Sequence, residues 1–190
     1  MAVGIGLAGA GTISTQYLTN LAQYPDVEVG AIGDLDTGRA AAQARAHGVP
    51  VSGSVQTVLE HPRVHIVVNL TIPAAHVEVS TAAISAGKHV WSEKPLGLDR
   101  ASARALLDEA ASLGLQVCCA PDTVLGPGIQ ATLRAMADGS VGRPLAGLAI
   151  MQNPGPDAWH PSPEFFFAAG GGPVLDIGPY YLTSLVLGLG

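Results

Sequence analysis

The tripeptide Glu93-Lys94-Pro95 puts a charged amine directly after an apolar run that is typical of a buried strand. A lysine held before proline at a strand end could hydrogen-bond a substrate hydroxyl, while its charge stabilises a developing alkoxide. A second group lies near the C-terminus, where Asp176 and Tyr180 are four residues apart and would share one face of a helix. The simpler interpretations are an exposed ion pair for Glu93 and Lys94, and a helix cap and a core aromatic residue for Asp176 and Tyr180.

A cluster of glycines near the N-terminus reads Gly6-Leu7-Ala8-Gly9-Ala10-Gly11-Thr12-Ile13-Ser14, after an apolar opening and before a segment with helical spacing. A chain that turns directly from strand into helix presents backbone N–H groups at the positive end of the helix dipole, where a pyrophosphate can bind. The residues expected to contact it are Gly9, Gly11, Thr12 and Ile13. Ser14 replaces the third glycine of the G-x-G-x-x-G pattern, and a turn that only packs strand against helix is the alternative.

The second predicted strand ends at Asp34, at about the distance along the chain expected of a carboxylate that holds the adenosine ribose hydroxyls. This residue favours NAD as the cofactor. A 2'-phosphate would meet a like charge there, so NADP would need a compensating base such as Arg39. The alternative is that Asp34 or Asp36 only caps the next helix, and Asp36 could do so while Asp34 faces the ribose.

Short apolar runs alternate with alanine-rich helical segments up to residue 121, which is typical of a doubly wound parallel sheet. The predicted strands are 3–8, 27–33, 64–70, 88–92 and 115–119, with a short one near 49–51. The predicted helices are 12–23, 37–47, 54–60, 74–86 and 99–113. We therefore expect an α/β fold whose first domain occupies residues 1–121.

Ligands of an open parallel sheet bind beyond the carboxyl ends of its strands. Asn69 and Thr71 follow one predicted strand, and Glu93 and Lys94 follow another. His76 is expected in the first turn of a helix that begins near the same edge, where it could contact the cofactor or cap and pack. These five residues are the further candidates for binding a dinucleotide.

The character of the sequence changes near Pro121. A helix is predicted over 122–139, interrupted at its start by Gly126-Pro127-Gly128, followed by a strand over 144–152. A loop rich in proline and aromatic residues comes next, and an apolar helix is predicted from about 173 to 187. Residues 122–190 are expected to form the beginning of an α+β domain.

Composition limits the classes of partner. The chain has 190 residues, 48% of them hydrophobic, with a net charge of −6 that is spread without long runs. Its mean hydropathy is +0.35. A substantial core is expected, without the basic surface that nucleic acids need and without an apolar stretch long enough to span a membrane. With an N-terminus that enters a strand directly, a cytoplasmic location is predicted.

The cysteines and histidines predict no metal site. Cys118 and Cys119 are adjacent in a predicted strand, where a mutual disulfide would be strained, and two buried thiols are expected. His61 and His65 have a suggestive spacing, but Pro62 breaks the helix that would place both on one face.

Taken in order, four motifs resemble the glucose-fructose oxidoreductase/inositol dehydrogenase (Gfo/Idh/MocA) family. They are Gly9-Ala10-Gly11, Asp34, Glu93-Lys94-Pro95 and Gly170-Gly171-Gly172-Pro173-Val174-Leu175-Asp176-Ile177-Gly178. The resemblance covers essentially the whole chain. It implies an N-terminal Rossmann domain that binds NAD(P), followed by an α+β domain that carries the substrate site and commonly an oligomer interface.

The resemblance also implies roles in hydride transfer between nicotinamide and a sugar, inositol or related polyol. Lys94 would polarise the reacting oxygen and Asp176 would orient the sugar. Many members have histidine where this chain has Tyr180, and a phenol with an ordinary pKa near 10 needs a nearby cation to act as a base. We expect Tyr180 to exchange the proton with the help of Lys94. Trp159 and His160 are candidates for substrate binding, with His160 as an alternative proton carrier; the alternative is that both are packing residues.

The chain lacks most of the second domain's sheet relative to the family, which implies a C-terminal truncation. A homo-oligomer is expected if that domain is completed. Two other functions stay open: a non-catalytic dinucleotide-binding or redox-sensing protein, and a related Rossmann enzyme of the biliverdin reductase or dihydrodipicolinate reductase type.

Overall fold

The computed structural model describes residues 2–158, 163–168 and 171–190. Six parallel strands form one sheet in the order β3-β2-β1-β4-β5-β6. Their bounds are β1 Val3–Ala8, β2 Val27–Gly33, β3 Val51–Gly53, β4 Ile66–Asn69, β5 His89–Ser92 and β6 Val117–Cys119. The chain winds outward from β1 in one direction and from β4 in the other, so the predicted doubly wound α/β fold is confirmed.

Five helices connect these strands, namely α1 Thr12–Leu21, α2 Thr37–His47, α3 Val55–Leu59, α4 His76–Ser85 and α5 Arg100–Ser112. The ends of α2 and α5 follow from single residues. Asp36 accepts a hydrogen bond from the N–H of Arg39, and Asp99 accepts one from the N–H of Ser102, so both are N-caps. Gly48 closes α2 with a φ of +70°, a conformation that glycine adopts without strain.

Two apolar clusters pack on the two faces of the sheet. One joins α1 and α2 to the strands through residues such as Leu7, Leu18 and Ile32. The other joins α3, α4 and α5 to the opposite face through residues such as Val58 and Ile84. Each of these five side chains is no more than 3% exposed, so the central strands β1 and β2 are fixed from both sides and the loops at their ends have a rigid base.

The pairing of β1 with β2 contains one irregularity. Ile5 lies opposite Val29, but Gly6 lies opposite Ala31, so Gly30 is an additional residue in β2. Such a bulge shifts the register of the strand beyond it by one residue.

Residues 120–190 form a second compact unit, and residues 1–119 form the first. The second unit contains α6 Pro127–Ala137, a 3-10 turn at Pro163–Phe167, α7 Pro173–Asp176 and α8 Gly178–Leu189. A 3-10 turn over Thr123–Leu125 precedes α6, as the predicted interruption by Gly126-Pro127-Gly128 requires. Met136 of α6 lies against Gly188 of α8, so these two helices pack together.

The strand predicted over 144–152 is wrong. These residues form no strand, and Leu145, Leu148 and Ile150 are 91%, 85% and 73% exposed. A mostly apolar run is compatible with a strand, but a strand needs a neighbour for its N–H and C=O groups. The described residues of this unit contain no strand that could serve as that neighbour.

The cysteines behave only partly as expected. Both are free thiols, but Cys118 is exposed and Cys119 is only partly buried, so the expectation of two buried thiols is wrong. Adjacent side chains of β6 point to opposite faces of the sheet. Cys118 lines an apolar trough of about 460 Å³ beside α1, with Tyr17, Val68 and Trp91, and this face is open to solvent.

Among the described helices, none combines the length and apolar character that a membrane crossing requires.

Candidate functional site

The glycine turn lies between β1 and α1, next to the point where the strand order reverses. Gly9 has a φ of +106°, and a Cβ there would lie 2.6 Å from the carbonyl oxygen of Leu70. Gly11 is the N-cap of α1, and a Cβ on it would meet no atom within 4 Å. Gly9 is therefore required by the backbone of the turn itself, whereas the absence of a side chain at Gly11 keeps space open in front of the helix.

Ser14 takes the place of the third glycine without disturbing this turn. Its side chain is fully buried, and its hydroxyl donates a 2.7 Å hydrogen bond to the carbonyl of Gly11. Thr12 and Ile13 are exposed in the first turn of α1. The first N–H groups of a helix have no acceptor within the helix, so this exposed turn can bind an anion.

Asp34 lies at the carboxyl end of β2 and connects three elements. Its Oδ2 accepts a 2.7 Å hydrogen bond from the N–H of Ala10 in the glycine turn. Its Oδ1 accepts one hydrogen bond from the N–H of Asp36 and one from the guanidinium of Arg39, each 2.9 Å long. A carboxylate has about four acceptor positions, so capacity remains for a further donor such as a ribose hydroxyl.

The charge of Asp34 is secured by these contacts. Burial alone would raise the pKa of its carboxyl group, but the hydrogen bonds from Ala10, Asp36 and Arg39, together with the charge of Arg39, hold the pKa below its ordinary value. The same pairing raises the pKa of Arg39. The arginine side chain is 52% exposed and that of Asp34 only 9%, so the carboxylate is fixed and the arginine is the partner that can turn toward a ligand.

Asn69 holds the loop after β4 in shape. Its amide nitrogen donates one hydrogen bond to the carbonyl of His76 and one to the hydroxyl of Ser80, each 3.0 Å long. Its amide oxygen accepts hydrogen bonds from the N–H and the hydroxyl of Thr71. Asn69 is fully buried, whereas Thr71 is partly exposed. The geometry favours a supporting role for Asn69, with the backbone and Thr71 as the groups that could face a ligand.

His76 connects this loop to the segment after β5. Its Nδ1 lies 2.6 Å from the carbonyl oxygen of Pro95 and its Nε2 lies 2.9 Å from that of Thr71. The side chain is only 1% exposed. It begins α4, as predicted, and it joins the two loops on which Thr71 and Lys94 stand.

Glu93 and Lys94 follow β5 at the same carboxyl edge of the sheet. The N–H of Glu93 donates to the carbonyl of Asn69 over 2.9 Å, which extends the contacts between the loops after β4 and β5. The Glu93 carboxylate accepts from the N–H of Lys94 and from the hydroxyl of Tyr17. Lys94 is partly exposed. The Glu93 carboxylate is thus bound to the backbone and to a phenol.

In the second unit, Asp176 and Tyr180 do not share one continuous helix, so this expectation is wrong. Asp176 is the last residue of α7, and α8 begins at Gly178. Pro179 has no N–H to continue the first helix, so the chain starts a new one. Both side chains are partly buried. Trp159 and His160 lie outside the described residues.

Two aromatic residues at this edge were not predicted from the sequence. Tyr17 of α1 and Trp91 of β5 form a hydrogen-bonded pair, and Tyr17 reaches Glu93, which is 76 residues away in the chain. Helical spacing predicts only that Tyr17 lies one turn beyond Ile13. The contact with Glu93 depends on how the sheet is wound, which no local pattern encodes. Among the described residues, no cluster of three or more His, Cys, Asp or Glu could hold a metal ion.

Comparison with known families identifies the family to which this sheet and its carboxyl edge belong. The Gfo/Idh/MocA description "Oxidoreductase family, NAD-binding Rossmann fold" matches residues 3–120. The chain belongs to this family. The resemblance drawn from the four motifs is confirmed, and the first unit is the NAD-binding Rossmann domain of a Gfo/Idh/MocA protein.

The named relatives of this chain include a dehydrogenase and a reductase. A trans-1,2-dihydrobenzene-1,2-diol dehydrogenase from Sus scrofa is 32% identical over 194 residues, covering 99% of this chain and 57% of that protein. A 1,5-anhydro-D-fructose reductase from Ensifer adhaerens is 33% identical over 177 residues, covering 90% and 52%. The chain thus spans little more than half the length of these relatives.

A solved structure shows the same fold with a coenzyme. A 3-ketoreductase from Actinomadura kijaniata, crystallised with TDP-benzene and NADP, is 28% identical with a TM-score of 0.78, covering 100% of this chain and 57% of that chain. The residues of the Gfo/Idh/MocA chain fit such a coenzyme. The space before Gly11 suits a pyrophosphate, and the remaining acceptor capacity of Asp34 suits an adenosine ribose.

Proposed function

We propose that the protein is an NAD(P)-dependent oxidoreductase that transfers hydride between nicotinamide and the CH–OH or carbonyl carbon of a sugar, inositol or related polyol. The observation that carries the proposal is the placement of Lys94. Lys94 follows β5 at the same carboxyl edge of the sheet that holds the glycine turn and Asp34. The residue before it, Glu93, donates a backbone hydrogen bond to the carbonyl of Asn69.

On the coenzyme side, Gly9, Gly11, Thr12 and Ile13 would bind the pyrophosphate through the turn and the first N–H groups of α1. Asp34 would hold the ribose, which favours NAD, while Arg39 would make NADP acceptable by meeting its 2'-phosphate. Thr71, Glu93 and Lys94 would line the path toward the nicotinamide. Asn69 and His76 would keep that path in shape, as their internal hydrogen bonds suggest.

On the substrate side, Lys94 would hydrogen-bond the reacting oxygen and stabilise negative charge on it. Asp176 would orient the substrate and Tyr180 would give or take the hydroxyl proton, with the lysine charge favouring its phenolate. Trp159 and His160 are proposed to contact the sugar. Nicotinamide, when bound, supplies or accepts the hydride at C4.

The remaining parts of the proposal concern organisation. Residues 1–121 would bind the coenzyme, and residues 122–190 would be part of an α+β substrate domain that commonly mediates oligomers in this family. The substrate would be a small molecule, with no nucleic acid or membrane as partner. A cytoplasmic location is part of the proposal.

The test combines coenzyme binding with turnover. Fluorescence of NADH on titration with the purified chain should increase, and absorbance of reduced nicotinamide should change when a panel of sugars and inositols is supplied with NAD or NADP. Binding with turnover supports the proposal. Binding without turnover on any panel member would favour a non-catalytic dinucleotide-binding or redox-sensing protein, and failure of folded protein to bind either coenzyme would contradict both functions.

A further inference from the structure

The hydroxyl of Tyr17 joins helix α1 to the segment after β5. It donates a 2.7 Å hydrogen bond to Oε1 of Glu93. The indole N–H of Trp91 donates to the same hydroxyl oxygen over 3.2 Å. An indole N–H is only a donor and a hydroxyl has one proton, so this arrangement directs the Tyr17 proton toward the carboxylate.

Glu93 connects the Tyr17 hydroxyl to the backbone of Lys94. Its Oε2 accepts a 3.1 Å hydrogen bond from the backbone N–H of Lys94. Its two carboxylate oxygens are therefore bound by different elements, one by α1 and the other by the residue that carries the amine. Hydrogen bonds to an ionised group are stronger than neutral ones, and in a partly buried setting they fix the side-chain rotamer.

The position of Tyr17 in α1 links its contact with Glu93 to the proposed coenzyme site. The first turn of α1 is the proposed pyrophosphate site, and Tyr17 lies in the next turn of the same helix. Tyr17 therefore ties the orientation of the Lys94 backbone to the helix that would carry the coenzyme.

We infer that Tyr17 is a positioning residue that sets Lys94 through Glu93, an inference that rests on the catalytic role proposed for Lys94. A hydroxyl that only stabilised the fold would leave both the environment of Lys94 and its chemistry unchanged when removed. The Tyr17→Phe variant separates these cases because it keeps the ring in the apolar trough and removes only the oxygen.

The sequence offers a direct spectroscopic test because it contains two lysines, Lys88 and Lys94. Lys88 is held elsewhere, with its Nζ donating to the carbonyls of His61 and Val64. Protein labelled with ¹³C,¹⁵N-lysine gives two backbone amide signals and two Cε signals, and Lys94→Arg assigns them. In Tyr17→Phe, the Lys94 signals should shift and the Lys88 signals should stay. Tyr24→Phe is the matched control, since Tyr24 is 60% exposed, and it should move neither.

Turnover provides the second measurement. Tyr17→Phe should lower kcat about tenfold, because a small displacement of a catalytic group is costly, while the KM for coenzyme changes less than about twofold. Trp91→Phe removes the donor that orients the hydroxyl and should give a smaller loss of kcat. It also serves as the second variant, read by the same lysine signals, if Tyr17→Phe folds poorly.

Unmoved Lys94 signals in Tyr17→Phe would overturn the inference, as would an unchanged kcat in a variant of an active protein. Failure of the proposed function is distinguishable, because it appears as absent turnover in the unaltered chain. In that case the lysine signals still decide whether the Tyr17 hydroxyl sets the position of Lys94.

Discussion

The backbone N–H of Ala10 donates a 2.7 Å hydrogen bond to Oδ2 of Asp34, so the glycine turn and the end of the second strand hold each other in place. The carboxylate that is proposed to bind ribose is thus also a structural part of the proposed pyrophosphate loop. Changes at Asp34 should therefore affect stability and coenzyme affinity together.

Asp34→Asn should lower the free energy of unfolding at neutral pH by about 1–3 kcal/mol, since the amide places an N–H group among three donors. The difference in the free energy of unfolding between Asp34→Asn and the unaltered protein should depend on pH. The folded-state pKa of Asp34 lies below its ordinary value of 3.8, so its charge adds stability above that value, and this contribution disappears as pH falls through the folded pKa. Urea unfolding at pH 7 and near pH 3 should show the gap between Asp34→Asn and the unaltered protein shrinking in acid.

Asp36→Asn is the matched control for that series, because asparagine is as good an N-cap as aspartate and the residue caps α2 without joining the glycine turn. A gap for Asp34→Asn that stayed constant down to pH 3 would show that its ionisation is not linked to folding.

Arg39→Ala should change coenzyme preference. Its guanidinium is half exposed and lies 2.9 Å from Asp34, and it is the group proposed to meet a 2'-phosphate. Removal should weaken NADP binding about tenfold and change NAD binding less than about twofold, since Asp34 keeps its hydrogen bonds from the N–H groups of Ala10 and Asp36. Calorimetry with both coenzymes measures the ratio, and Arg45→Ala on the same helix should leave it unchanged. Equal losses for NAD and NADP would rule out a role for Arg39 in discrimination.

Two glycines of the turn should respond differently to alanine. Gly9→Ala should lower the free energy of unfolding by at least about 1–3 kcal/mol, because φ is +106° and the new Cβ would lie 2.6 Å from the Leu70 carbonyl oxygen. Gly11→Ala should fold normally, since φ is −72° and no atom lies within 4 Å, but its methyl group would occupy the space proposed for pyrophosphate.

Thermal unfolding and coenzyme titration of both glycine variants provide the check. If Gly11→Ala bound NADH with unchanged affinity, the pyrophosphate would have to lie elsewhere.

Tyr180→Phe should reduce kcat about a hundredfold with a confirmed substrate, as expected for loss of a general acid or base, while coenzyme affinity stays the same. The adjacent Tyr181→Phe removes a phenol from the same helix and serves as the control. Near-normal turnover in Tyr180→Phe would transfer the proton role to another group, and His160 would be the next residue to test.

The two adjacent cysteines should react with a thiol reagent at very different rates. Cys118 is exposed, whereas burial, with help from the charge of Glu93, raises the pKa of Cys119 to about 12. Since the thiolate is the reactive form, Cys119 should react at least about a hundredfold more slowly at pH 8. Absorbance on release of thionitrobenzoate should show a fast phase that Cys118→Ser abolishes and Cys119→Ser retains. A fast phase in Cys118→Ser would mean that Cys119 is accessible.

The elements that the sequence predicts well are those with local signals. Asp36 and Asp99 mark the starts of α2 and α5 by their capping chemistry, and glycines mark the ends of several helices. The four family motifs also lie in short contiguous segments, so their order along the chain is enough to recognise them.

The failures share a different cause, which is dependence on partners distant in the sequence. The mostly apolar run at 144–152 predicts a strand, but it cannot provide the neighbour that a strand needs. Exposure of Cys118 depends on which face of the sheet is covered. The contact of Tyr17 with Glu93 depends on the winding order of the strands, which only the folded chain reveals.

Because of the additional residue at Gly30, the second half of β2 pairs with β1 in a register that differs by one residue from that of the first half. Because side chains alternate between the two sides of a strand, the number of residues from Val29 to Asp34 decides toward which layer the carboxylate is directed. Deleting one of them would turn that carboxylate away from the turn at Ala10 without altering any residue of the proposed site. The proposed contact of Asp34 with the coenzyme would therefore depend on whether the number of residues in this short segment is odd or even.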